Sequence, residues 1–179
     1  MDLFTYIFFL YAAFIIAASL LALYWFGAMI LPIFFNGAPY VPTPHERVKK
    51  MIKRANITSS DVVSDLGSGD GRLLIAAAKA GAKRCIGYEL HPSLVSVSRS
   101  KAKNQKLDHI IEVFKTSFWN ANLKNVSLVL LYQIPHNMQE LEDKLRGELP
   151  KGARVVSNGF EFPKWKPKSS EDRIHLYIN

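Results

Sequence analysis

Two acidic residues flank a glycine-rich turn early in the polar part of the chain. The turn, Gly67-Ser68-Gly69-Asp70-Gly71, follows the apolar run Val62–Leu66, which predicts a buried strand. Glycine lets a backbone turn tightly and approach a ligand closely, and ligands of open α/β sheets bind at the carboxyl ends of the strands. The pattern therefore predicts a small-molecule site with the carboxylates of Asp65 and Asp70 beside it.

The glycine spacing separates two classes of ligand. A dinucleotide-binding loop reads G-x-G-x-x-G and holds a pyrophosphate, whereas this turn reads G-x-G-x-G and its carboxylates would repel phosphate. They suit a ligand with a cationic amino group and a cationic sulfur, S-adenosylmethionine (SAM). Glu89 ends the next predicted strand, where a carboxylate can accept hydrogen bonds from the ribose hydroxyls of such a ligand. The alternative is that Asp65, Asp70 and Glu89 are only helix caps and surface charges.

Apolar runs alternate with helical patterns after residue 61, which is typical of parallel βαβ units in a doubly wound sheet. Strands are predicted at 62–66, 85–89, 110–114, 126–131, 153–157 and, last, 173–178. Helices are predicted at 72–80, 92–105 and 138–149. The predicted fold class is therefore α/β, with a Rossmann-like sheet at whose carboxyl edge the acidic residues lie.

The head of the chain has a different character. Residues 3–35 carry no charge, and an apolar run of this length predicts one N-terminal transmembrane helix. Five Lys or Arg residues follow within 45–54, so the positive-inside rule places the body on the cytoplasmic side and these cations near anionic headgroups. A cleaved signal peptide and a buried core helix are the alternatives. We expect an anchor at 1–36, a proline-rich linker and amphipathic helix at 37–61, and a SAM-binding domain at 62–179.

Composition excludes several classes. A single cysteine excludes a disulfide framework and a Cys-rich zinc site, and no metal is expected. The chain is too apolar and aromatic to be disordered. Its formal net charge is +8, but the basic residues cluster beside the predicted span, so no nucleic-acid partner is expected.

The motifs resemble a known family. The segment 65–72 followed by Gly87-Tyr88-Glu89 is similar to motifs I and II of class I SAM-dependent methyltransferases. The segments 37–44, 141–146 and 152–158 are similar to a small family of membrane-anchored protein-lysine methyltransferases. Its mitochondrial members act on the adenine nucleotide translocase and on the c-subunit of ATP synthase. The resemblance covers nearly the whole chain.

That resemblance implies roles for particular residues. Those expected to bind SAM are Asp65, Gly67, Ser68, Gly69, Asp70, Gly71 and Glu89, with Ser117 and Phe118 beside the adenine, and Tyr40, Pro42 and Thr43 folded over the pocket. Tyr132 and Gln133, after the fourth strand, are expected to contact the acceptor nitrogen as catalytic residues. Phe118 could equally be a core residue, and Pro42 and Thr43 no more than a rigid linker.

The resemblance also implies a function. We expect a membrane-anchored SAM-dependent methyltransferase acting on lysine side chains of a protein substrate, which could itself be a membrane protein. The alternatives are a small-molecule or lipid methyltransferase and a non-catalytic SAM-binding scaffold. We expect a single-pass protein with its catalytic body in the cytoplasm of a prokaryote, or at the mitochondrial inner membrane if the host is eukaryotic.

Overall fold

The computed structural model describes residues 2–34 and 40–179. The end of the predicted anchor, 35–36, and the start of the predicted linker, 37–39, lie outside the described residues. Contacts divide the chain into two units, 1–39 and 40–179. The first contains one helix, and the second contains the sheet.

The N-terminal helix α1 is Leu3–Phe34, and the side chain of Asp2 accepts a hydrogen bond from the backbone N–H of Thr5 at 3.1 Å. Within it, the 25 residues Leu3–Gly27 are long and apolar enough to cross a membrane. Large side chains such as Phe4 and Trp25 are exposed. The structure therefore confirms that the apolar segment at the head of the chain is helical.

A seven-stranded sheet has the order β3-β2-β1-β4-β5-β7-β6. The strands are β1 Val62–Leu66, β2 Arg84–Glu89, β3 Ile111–Lys115, β4 Leu128–Leu131, β5 Arg154–Asn158, β6 Ser169–Glu171 and β7 Ile174–Ile178. The first five run parallel, while β7 is antiparallel to β5 and β6 is antiparallel to β7. The α/β prediction is confirmed. The sequence did not predict β6, because three polar residues carry no apolar pattern.

Four helices belong to the second unit: α2 His45–Ala55, α3 Arg72–Lys79, α4 Pro92–Asn104 and α5 Met138–Glu148. Short 3-10 turns at Phe118–Asn120 and Pro135–Asn137 complete the connections. Between β3 and β4, where the alternating pattern would place a helix, the described chain has only the first of these turns.

Two cores cover the two faces of the sheet. Beneath α2, α3 and α4, Met51, Leu74 and Val95 pack against strand residues such as Val63 and Leu130. On the other face, α5 and the segments around Phe118 and Phe162 pack against Leu66, Val129 and Val155. Alternate side chains of each strand therefore point into opposite cores. This parity fixes which face each residue at the carboxyl edge occupies.

A buried carboxylate links neighbouring strands at the amino edge of the sheet. Asp61, just before β1, accepts hydrogen bonds from Arg154 (2.5 Å) and Ser127 (2.6 Å). Arg154 also donates to the carbonyl of Ala55 at the end of α2. Burial alone would raise the pKa of Asp61, but these hydrogen bonds outweigh it and lower the pKa to about 2. The starts of β1, β4 and β5 are thereby held together.

The cations of α2 are used within the domain. Lys50 pairs with Asp172 and Arg54 with Glu171, each at 2.5 Å, and Arg47 donates to the backbone carbonyl of Asp172. Glu171 ends β6, and Asp172 follows it in the turn to β7. Three of the cations predicted to face anionic headgroups thus have partners in the β6–β7 hairpin.

Candidate active site

The glycine turn is fastened to the neighbouring strand. The backbone N–H groups of Gly67 and Ser68 both donate to the carbonyl of Tyr88, each at 3.0 Å. Gly67, Gly69 and Gly71 all have positive φ, at +90°, +53° and +80°, which residues with a Cβ rarely adopt. The turn therefore needs glycine at alternate positions, and side chains of other elements pack closely against each of the three.

Tyr40 lies directly on this turn. A Cβ placed on Gly69 would come within 2.7 Å of the Tyr40 ring, at Cε2. Three residues later, Thr43 is buried and its carbonyl accepts a hydrogen bond from Arg72 Nη1 at 2.6 Å. Pro42 between them is exposed. The segment 40–43 thus passes over the glycine turn and is fixed to the first residue of α3.

Asp70 is fully engaged by cations. Arg72 donates to both of its oxygens, from Nε at 2.8 Å and from Nη2 at 2.9 Å, and Lys101 contacts it at 2.5 Å. Burial would raise the pKa of Asp70, but these partners outweigh it and hold the pKa well below its usual value. The charge of Asp70 is therefore compensated inside the protein. Its oxygens reach the segment 40–43 through Arg72.

Asp65 has the opposite environment. It is 2% exposed, and within residues 2–34 and 40–179 its carboxyl group has no hydrogen-bond or ion-pair partner. Burial, followed by the nearby charges of Glu89 and Asp70, raises the pKa of Asp65 to about 8. A buried carboxyl group without a partner is a natural contact for a cationic group of a ligand.

Glu89 links the turn to the next helix. One carboxylate oxygen accepts a hydrogen bond from the backbone N–H of Gly69, and the other accepts one from the backbone N–H of His91, each at 2.8 Å. A carboxylate oxygen has two lone pairs, so each retains one for a ligand hydroxyl. The side chain is half-buried at the carboxyl end of β2. This fits its predicted role at the ribose.

The two predicted catalytic residues occupy different surroundings. Gln133 is 3% exposed, donates from Nε2 to the carbonyl of Leu66 at 2.7 Å, and lies so close to Gly67 that a Cβ there would come within 2.8 Å of it. Tyr132 is half-buried, and its ring lies beside Gly159. Gln133 therefore shapes the glycine turn, whereas Tyr132 lies at the carboxyl ends of β4 and β5, beside Gly159.

The predicted adenine segment follows β3. Ser117 accepts a hydrogen bond from the N–H of Trp119 and so caps the 3-10 turn. Phe118 is 4% exposed and lies in the core beside α5, with its ring centroid 4.7 Å from that of Trp119. Trp119 is half-buried. Of the two rings, Trp119 is the one that retains an accessible surface.

Sequence reasoning missed the residues that support the turn from neighbouring elements. Ser98 of α4 is buried and lies where a Cβ on Gly71 would be placed, and Lys101 of the same helix reaches Asp70. Their i, i+3 spacing puts them on one face of α4. The spacing is visible in the sequence, but only the fold shows that this face of α4 packs against the glycine turn after β1.

The arrangement fits SAM on two observations. The buried carboxyl group of Asp65 lacks a cationic partner among the described residues, and the Glu89 carboxylate reaches the backbone of the glycine turn from the neighbouring strand. Asp65 would meet the amino-acid end of the ligand and Glu89 the ribose. The Oγ of Ser68 is buried and packs where a Cβ on Gly87 would be placed, so it supports the turn from inside.

Comparison with known proteins gives the family. Residues 65–169 match the family described as the ANTKMT methyltransferase domain. The lysine N-methyltransferase of the ATP synthase c-subunit from Xenopus laevis is 39% identical over 129 residues, which make up 72% of this chain and 56% of that protein. The adenine nucleotide translocase lysine N-methyltransferase of Mus musculus is 34% identical over 171 residues, covering 90% of this chain and 74% of that protein. The chain thus spans little more than half the length of the Xenopus relative.

A solved structure agrees with these matches. It is described as an RNA methyltransferase from Salinibacter ruber in complex with S-adenosyl-L-homocysteine, and it is 34% identical with a TM-score of 0.74. The match covers 77% of this chain and 93% of that one. The resemblance read from the motifs is confirmed: the chain belongs to the ANTKMT methyltransferase family and has the class I SAM-dependent methyltransferase fold.

Proposed function

We propose that this protein transfers a methyl group from SAM to the side-chain amine of lysine in a protein substrate. The observation that carries the proposal is the carboxyl edge of β1, where the unpartnered, buried Asp65 lies beside the glycine turn and Glu89. Membership of a family whose curated relatives are named lysine N-methyltransferases supports the choice of acceptor.

The residues of the chain supply binding and orientation. Asp65 receives the cationic amino group of the ligand, Glu89 accepts its ribose hydroxyls, and Tyr40 shields the glycine turn from water. When bound, SAM supplies a methyl group whose S–C bond breaks toward sulfur as the lone pair of the lysine nitrogen forms the N–C bond, and the amine proton leaves to water. Much of the rate of such a step comes from alignment and exclusion of water. Tyr132, at the carboxyl end of the sheet beside Gly159, would guide the acceptor.

We also propose that α1 anchors the protein in a membrane, with the catalytic unit on the cytoplasmic side. The support is the length and apolarity of Leu3–Gly27 and the absence of Lys and Arg before residue 45. An anchor would restrict the search for acceptors to proteins in or near the bilayer.

One experiment separates the possible acceptors. Full-length protein in detergent is incubated with methyl-labelled SAM and membranes from cells that lack it, and the products are divided into protein, lipid and RNA. We expect label in protein, recovered as methyllysine after acid hydrolysis. Label confined to lipid would overturn the lysine proposal, and label confined to RNA would favour the activity named for the Salinibacter protein.

A pair of variants tests the cofactor site. Glu89→Ala should weaken SAM binding at least about 10-fold, since it removes a carboxylate hydrogen-bonded to the ligand. Glu112→Ala, at an exposed position of β3, is the matched control and should bind SAM as wild type does. Equal affinity in the two variants, measured by calorimetry, would refute the assignment of Glu89.

A further inference from the structure

Asn158 is a buried polar residue that the fold does not use. It is 3% exposed at the carboxyl end of β5. Within the part of the chain that the structure describes, its carboxamide has no hydrogen-bond partner. Among the described residues, the side-chain atoms that are both fully buried and unpartnered are the Oγ atoms of Ser64, Ser68 and Ser98, so the Asn158 carboxamide retains a small contact with solvent. Buried amides normally find partners, and a ligand could supply one here.

The position of Asn158 follows from strand register. Leu131 of β4 pairs with Ser157 of β5, so Tyr132 and Asn158 leave the two strands side by side. A Cβ on the next residue, Gly159, would be 3.3 Å from Cε2 of Tyr132. Asn158 therefore lies next to Tyr132 in the sheet and directly before the glycine beside the Tyr132 ring.

The face is the one that carries Asp65. Val63 and Val156 both lie in the core beneath α2 and α3, and two residues later in each strand come Asp65 and Asn158. Because strand side chains alternate, both of these polar groups lie on that face of the sheet. Asp65 is beside the glycine turn, and Asn158 lies across β4 from it.

We propose that the carboxamide oxygen of Asn158 accepts a hydrogen bond from the N–H of the acceptor amine and so orients its lone pair toward the methyl donor. The inference rests on the proposed function and names a residue that binds the acceptor. Neutral lysine has two N–H groups and monomethyllysine has one, so both can make this hydrogen bond. Neutral dimethyllysine has none, so Asn158 assists the first two transfers and not a third.

The neighbours of Asn158 show that the carboxamide is dispensable for folding. Ser157 is satisfied by its own hydrogen bond to the carbonyl of Phe160 at 2.7 Å, and the backbone of Asn158 pairs with Ile174 of β7. Replacement by leucine, which has the same number of side-chain heavy atoms and the same branching, removes the polar group and breaks no side-chain hydrogen bond that the described structure contains. Asn158→Leu should therefore fold and melt like wild type.

The test uses full-length Asn158→Leu, with Asn125→Leu as the control at an exposed asparagine before β4. Methyl transfer to membranes from cells lacking the protein is followed, and mono-, di- and trimethyllysine are separated after hydrolysis. We expect total transfer to fall about 10-fold, the equivalent of one lost hydrogen bond. SAM affinity should stay within about 2-fold of wild type. Because trimethyllysine forms through the other two products, each transfer is also measured on its own substrate. The rates on unmodified and monomethylated substrate should fall, and the rate on dimethylated substrate should not.

The outcomes separate the two proposals. If wild type makes no methyllysine, the proposed function fails. If wild type makes it and Asn158→Leu makes it at the same rate, the function stands and the role of Asn158 is refuted. A loss of rate accompanied by an equal loss of SAM affinity or of thermal stability would also refute that role, because it would show that Asn158 supports the fold or the cofactor.

Discussion

Gln133 Nε2 donates a hydrogen bond to the backbone carbonyl of Leu66 at 2.7 Å, which joins the end of β4 to the last residue before the glycine turn. The same nitrogen is where a Cβ on Gly67 would collide. The amide of Gln133 thus supports the glycine turn from the segment that follows β4. We infer that it acts by positioning, and that Tyr132 beside it makes the acceptor contact.

Substitution separates these two roles. Gln133→Leu leaves the Leu66 carbonyl without a donor, and we expect a loss of about 1–3 kcal/mol in the free energy of unfolding together with weaker SAM binding. Tyr132→Phe keeps the ring on Gly159, so stability and SAM affinity should hold while the transfer rate falls. Chemical denaturation, calorimetry and label incorporation measure the three quantities. Equal destabilisation by both variants would contradict this division.

Gly69→Ala tests the contact between Tyr40 and the turn. The new methyl group would collide with the Tyr40 ring at a residue whose φ is already +53°, so we expect SAM binding to fall by at least about 10-fold. Gly81→Ala is the matched control, because its φ is +97° but nothing lies within 4 Å of the new Cβ. Adding Tyr40→Ala to Gly69→Ala should recover part of the lost affinity if the collision, rather than backbone strain, causes the loss.

Asp65 should release a proton when SAM binds. With a pKa of about 8 its carboxyl group is protonated near pH 7 in the free protein, and a cationic amino group beside it would favour ionisation. Calorimetry at pH 7 in buffers of different ionisation enthalpy should show release of up to about one proton, and Asp65→Asn should abolish it. Release that persists in Asp65→Asn would assign the proton to another group.

The same group affects stability without ligand. Its folded pKa lies above the unfolded value, so its favourable contribution is present below about pH 4 and is lost as the pH rises through about 8. Asp65→Asn should therefore melt higher than wild type at pH 8.5, as asparagine carries no charge to bury. Identical melting temperatures at that pH would show that the pKa is not raised.

Asp61 should govern acid stability with the opposite sign. Its folded pKa of about 2 lies below its usual value, so its contribution is present above about pH 4 and is lost as the pH falls through about 2. Asp61→Asn leaves Arg154 without its partner at 2.5 Å, and we expect a loss of about 2–4 kcal/mol at pH 7. Denaturation at pH 7 and pH 2.5 should show the difference between variant and wild type shrinking in acid.

Most strands and helices of the second unit could be predicted from local sequence patterns. The first five strands and the helices after residue 61 were predicted to within two residues at most of their ends, because apolar alternation and glycine stops are local signals. The β6 strand Ser169–Glu171 was not predictable, since it exists only through pairing with β7. No helix was predicted between β3 and β4, and the described chain has only the 3-10 turn Phe118–Asn120 there.

For the site, residue types indicated the ligand but not the partners. Asp65 and Asp70 read alike in sequence, yet among the described residues one has no partner and the other is held by Arg72 and Lys101. Lys101 is 31 residues away along the chain, so only the tertiary fold distinguishes the two carboxylates. Asn158 lay inside a segment noted for family resemblance, but its lack of a partner in the described structure emerges only once the strands are assembled.

The contacts between α2 and the turn of the last hairpin also order events during synthesis. Lys50 and Asp172 are 122 residues apart, and Arg54 and Glu171 are 117 apart. At about 5–20 residues per second, α2 leaves the ribosome several seconds or more before its partners exist. The helix α2 therefore cannot form these ion pairs until the end of the domain has been synthesised. A nascent chain cut before residue 169 should expose the basic side chains of α2 to the translation machinery and to anionic lipid.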